Sequence, residues 1–145
     1  MPEQQTIERA KEDAREGKSP STQAGEFVRE EFHHVREGKH GASSPKQAIA
    51  IGLSKARRAG VKLSAPKGSS QVRKKAEQDQ KAGQRSQRTK SKTRSKATSA
   101  ALKREPRGTA SHKAISQQSR NSSAQRGKRA RSTAAAKAAR TRKAA

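Results

Sequence analysis

Ser44-Pro45-Lys46-Gln47-Ala48-Ile49-Ala50-Ile51-Gly52-Leu53-Ser54-Lys55-Ala56-Arg57-Arg58-Ala59-Gly60 is the stretch on which the fold turns. It opens as a capping box. The Ser44 hydroxyl caps the free amides, Pro45 takes the first helical position, and Gln47 reaches back. Ile49, Leu53 and Ala56 then recur on one face, flanked by Ala48 and Gly52. Gly60 stops the helix and lets Val61 fold back on its last turn. A helix over 45–59 follows.

Reading outward, Gly38-Lys39-His40-Gly41-Ala42-Ser43 is short enough to join two antiparallel helices. Before it, Ser19-Pro20 repeats the cap-then-proline signal, and the helix it starts runs to about Glu37. Val28, Phe32 and Val35 fall at i, i+4 and i+7 on that helix, with Phe27 beside them. Glu3 to Glu16 reads as a charged, solvated helix closed by Gly17. Ala48, Gly52, Ala56 and Ala59 are small enough for another helix to approach closely.

Beyond this head the character changes. Residues 1–65 hold 12 basic and 9 acidic side chains, whereas 66–145 hold 24 basic and 3 acidic ones, so nearly all of the +24 net charge lies in the second part. The chain is only 27% hydrophobic, with Phe27 and Phe32 as its two aromatics. Such a balance buries too little apolar surface to offset the entropy of ordering. The expected fold is therefore mostly disordered with a small all-α head. That head, 1–65, is a helical hairpin of two to three short helices, marginal alone and helped by a partner or a dimer. Pro66-Lys67-Gly68-Ser69-Ser70 marks its end. A basic low-complexity tail, 66–145, follows, with weak helices at 95–104 and 109–120.

A polycationic chain neutralises phosphates and releases condensed counterions. The candidate nucleic-acid contacts are Lys55, Arg57 and Arg58 in the head, then Arg73, Lys74, Lys75, Arg85, Arg88, Lys90, Lys92, Arg94, Lys96, Lys103, Arg104 and Arg107. Toward the end they continue as Lys113, Arg120, Arg126, Lys128, Arg129, Arg131, Lys137, Arg140, Arg142 and Lys143. Nothing reads base edges, and no aromatics are present in the tail to stack unpaired bases, so a single-strand platform is not expected. Duplex DNA is preferred, with an RNA- or ribosome-associated role, or a head that binds a protein partner while the tail localises it, as the alternatives. Phe27, Val28, Phe32, Ile49 and Leu53 are the candidate surface for a second copy or a protein partner. No enzyme activity and no cofactor are expected. His33, His34 and His40 with Glu30, Glu31 and Glu37 match no standard metal spacing and read as solvated groups. The chain has no cysteine and no apolar run of membrane-spanning length, so a cytoplasmic, nucleoid location is expected.

Two resemblances accompany this reading. The tail is similar in composition to bacterial histone H1-like Lys/Ala-rich proteins, which implies DNA compaction without sequence choice. The blocks Gly25-Glu26-Phe27-Val28-Arg29-Glu30-Glu31, Arg36-Glu37-Gly38-Lys39-His40-Gly41-Ala42 and 44–60 resemble a family of small basic bacterial proteins of uncharacterised function. That likeness spans roughly 6–65, implies bacterial origin and supplies no site residues.

Overall fold

The structure, a computed structural model, describes residues 2–85 and 91–144. Among them are seven α-helices and a 3₁₀ turn. In order these are α1 (Gln4–Arg15), α2 (Pro20–Arg36), α3 (Pro45–Arg58), α4 (Ser70–Gln84), α5 (Lys92–Arg104), the turn Gly108–Ala110, α6 (His112–Gln125) and α7 (Gly127–Ala144). They form two compact units, Met1–Ala110 and Ser111–Ala145.

In the first unit α2 is central, packed between α1 and α3 and touched by the 3₁₀ turn, while α4 lies on α3. The capping signals act as their chemistry dictates. Ser19 Oγ accepts from the Thr22 amide and Ser44 Oγ from the Gln47 amide. Gln47 Oε1 reaches back to Ser43, taking both its amide and its hydroxyl. Gly17, Gly38 and Gly60 follow α1, α2 and α3 with φ of 73°, 75° and 97°, the left-handed ending that glycine adopts at least cost.

The core joins Ala10, Ala24, Phe27, Ala56 and Val61, with Ile7, Leu53 and Leu63 against it. Phe27 and Val35 are fully buried, and Phe32 nearly so. The apolar residues of α2 and α3 thus meet inside this unit. The small-residue stripe of α3 is used there too. A Cβ on Gly52 would stand 2.7 Å from the Val28 Cα, so α2 and α3 cross at a point where only hydrogen fits.

The expectation of a mostly disordered chain bearing a two- to three-helix hairpin is overturned by α4 to α7. The reason is local chemistry that a hydropathy balance does not register. Ser69, Ser91 and Ser111 each cap a helix, accepting from the amides of Val72, Arg94 and Ala114. The residues that follow are largely Ala, Lys, Arg and Gln, which lose little rotamer freedom on becoming helical. Helix α4 also buries a face made of small and polar groups, Ala76 and Asp79.

The segment after α5 closes over the loop following α2. The Gly41 amide donates to the Leu102 carbonyl and the Ala42 amide to that of Pro106. Arg36 Nε donates to the Ala110 carbonyl. A Cβ on Gly41 would overlap the Glu105 carbonyl oxygen, so this crossing requires glycine as well.

The second unit is simpler. Helices α6 and α7 follow one another across a turn at Gly127, whose φ is 73°; α6 buries no residue completely, and α7 is exposed from Gly127 to Lys143. Among the described residues no helix is long and apolar enough to cross a membrane.

Candidate functional site

Two charged features stand out, one on the surface and one inside. On the surface, every described candidate cation from Arg73 to Lys143 is exposed. Of these, Lys75 is paired with Asp79; among the described residues no carboxylate lies within 4.0 Å of the others. Arg88 and Lys90 lie outside the described residues. The second unit carries ten cations, Lys113 to Lys143, and no acidic residue at all. Within α7, Lys128, Arg129, Arg131, Lys137, Arg140, Arg142 and Lys143 sit at positions that, at about 100° per residue, surround the helix rather than one stripe.

The three head candidates are placed differently. Lys55 points inward, with Nζ 3.1 Å from Glu30 Oε1 and 2.7 Å from Glu31 Oε2. Arg57 is buried. Arg58 is half-exposed and binds Asp79 through Nε and Nη2, both at 2.8 Å.

The interior feature begins with Glu30 and Glu31 on α2, both buried. Burial raises the Glu30 carboxyl, but donors from the Thr6 hydroxyl, the Glu3 amide and Lys55 outweigh it and hold it below the ordinary value. Glu31 is fully buried, and both of its oxygens lack a hydrogen-bond partner. Lys55 Nζ and His40 Nε2 (3.1 Å from Oε1) lie close enough for charge pairing. Neither approaches with hydrogen-bond geometry.

The histidines divide. His33 is exposed and solvated, as its sequence position suggested. His34 is buried, its Nε2 3.0 Å from Glu3 Oε1 and 3.9 Å from Glu30 Oε1. His40 is largely covered, its Nδ1 2.9 Å from the Gly41 carbonyl, and its ring meets that of His34 edge-on at 6.0 Å. Hydrogen bonds from His34 and Lys39 lower the Glu3 carboxyl from 4.5 to about 2.

A second interior cluster fixes α4. Asp79 Oδ2 accepts from Ser54 Oγ at 2.6 Å, and Oδ1 accepts from Arg58 Nε and from Lys75 Nζ at 3.2 Å. Burial raises this carboxyl, but the donors from Ser54, Arg58 and Lys75 prevail and lower it. Sequence reading passed over Asp79. Its signal was its spacing, an acid on α4 with Lys75 one helical turn before it.

The fold and charge distribution define a small, strongly basic, all-helical protein whose first unit is organised around buried ion pairs. Residues 4–68, covering α1 to α3, match the model of a family of unknown function (DUF6496). No curated protein and no solved structure matches the chain.

Proposed function

We propose that this protein is a non-enzymatic nucleic-acid-binding protein that grips duplex DNA through its phosphates, without sequence choice, in the manner of a nucleoid-associated, DNA-compacting protein. The observation that carries this reading is the second unit, with ten basic residues, no acidic ones, and all ten exposed. Nothing within that unit neutralises them, so polyanionic backbone is the complementary surface. Helices α4 and α5 add further positive charge through Arg73, Lys74, Lys92, Arg94, Lys96, Lys103 and Arg104, each exposed. The compositional likeness of this region to histone H1-like proteins supports the same reading. Lys55 is excluded from the contact set because its ammonium is already engaged by Glu30 and Glu31.

The test is fluorescence anisotropy of the full chain on labelled duplexes of unrelated sequence, titrated with salt. Affinity should be independent of sequence, and log K should fall with log salt at about −0.9 per phosphate neutralised. Changing the seven cations of α7 to Gln should make that slope shallower by up to about 6. Tight binding that survives near 1 M salt would remove the mechanism. Stronger retention on structured RNA than on duplex DNA would move the assignment to RNA.

A further inference from the structure

We propose that Glu31, His34 and His40 form a binding site for one divalent transition-metal ion of the zinc type. One donor atom from each lies within 4.8 Å of the others. Donors about 2.0–2.1 Å from a tetrahedral ion stand roughly 3.3 Å apart, so closure asks for side-chain movement on the order of 1.5 Å. The backbone is already in position. Glu31 and His34 share a face of α2 at i, i+3, and His40 is returned to them by the loop whose Gly41 and Ala42 amides are held by Leu102 and Pro106.

An independent observation points to a ligand. Glu31 is fully buried and neither oxygen accepts a hydrogen bond; Oε2 has the Lys55 ammonium at 2.7 Å, but Oε1 is left without a donor, a state that costs free energy unless something else satisfies it. His40 sharpens the point. A carbonyl can only accept, so the proton of a neutral His40 sits on Nδ1, facing Gly41, and Nε2 presents a lone pair. That lone pair is 3.1 Å from Glu31 Oε1, which offers lone pairs of its own. A cation between them resolves the opposition, and the Gly41 carbonyl is the kind of outer partner that orients a ligating imidazole. Protonating His40 would serve equally only if its Nε2–H were aimed at Oε1, and it is not.

The charge count agrees. The groups linked by contacts within 4.0 Å are Glu3, Glu30, Glu31 and Glu37 with Lys39 and Lys55, four negative against two positive while the histidines are neutral. The deficit is that of one divalent ion. Lys55 occupies Glu31 Oε2 and leaves Oε1 for the metal. Two imidazoles and one carboxylate suit zinc and its neighbours rather than calcium or magnesium, and leave one position for water. The ion would clip the end of α2 to the loop behind it.

The full chain, stripped with chelator, is titrated with Zn(II) or Co(II) alone. The expected result is saturable uptake of one ion per chain, visible ligand-field bands of four-coordinate Co(II), and a zinc-dependent rise in Tm. His40→Gln and Glu31→Gln should each weaken uptake at least about tenfold, while His33→Gln and His112→Gln, both exposed, leave it unchanged. The chain's net charge of +24 repels stray cations, which makes one-to-one uptake informative. Absence of saturable uptake and of cobalt bands in the unsubstituted chain overturns the proposal, whether or not the variants fold. Uptake that His40→Gln leaves intact overturns it as well.

Discussion

Replacing Asp79 by alanine is expected to cost about 2–4 kcal/mol and to loosen α4 from α3. Asp79 is 2% exposed and is bound by Ser54, Arg58 and Lys75. The Arg58 and Lys75 side chains are 52% and 59% exposed, so they regain water when the carboxylate goes, and their share is discounted to about 0.5–1 kcal/mol each. Ser54 is less fortunate. Its hydroxyl loses a charged acceptor inside the α3–α4 contact, worth about 1–2 kcal/mol. Urea unfolding followed by circular dichroism measures the total, and amide exchange locates it. The amides of α4 should exchange roughly 30- to 900-fold faster, since about 1.4 kcal/mol is tenfold. The carboxyl is lowered in the fold, so its contribution is complete above its unfolded value of 3.8 and is lost as pH falls through the folded value. Below that point the variant and the parent should converge. A loss under about 0.5 kcal/mol at neutral pH, or unchanged protection in α4, would refute the account, because that is what an exposed surface change such as Glu77→Ala should give.

Two further changes probe the same unit. Gly52→Ala adds a good helix former, worth about 1 kcal/mol in isolation, yet should destabilise by about 1–3 kcal/mol because the methyl meets the Val28 backbone; thermal unfolding decides the sign. Lys55→Ala strands two buried carboxylates and should cost about 3–5 kcal/mol by urea unfolding, whereas Lys46→Ala, on the outer side of the same helix, should cost little.

Much of α1 to α3 was legible because their ends are written in local chemistry. Ser19-Pro20, Ser44-Pro45 and the glycines at 17, 38 and 60 each specify a boundary that needs no tertiary information. The later helices have the same serine caps, at Ser69, Ser91 and Ser111, but they were weighed against net charge and sparse apolar content, which measure core burial rather than helix formation. The interior ion cluster was hidden for a different reason. Adjacent His33 and His34 point about 100° apart on α2, and nothing local says which one turns inward. His40 joins Glu31 only because the loop after α2 is tied down by a segment some sixty residues further along the chain. Lys55, likewise, looked like one cation of a basic helix end until α2 supplied its carboxylates.

That tie has a consequence for synthesis. The Gly41 and Ala42 amides emerge from the ribosome long before the carbonyls of Leu102 and Pro106 that receive them. At about 5–20 residues per second, the wait is roughly 3–12 s. During it the nascent chain holds α1 to α3 with an open loop, and only the arrival of the turn at Gly108–Ala110 completes the first unit. A stalled or prematurely terminated product ending before Leu102 would leave both amides to water and the loop open, giving quality-control proteases a point of entry that the finished molecule conceals.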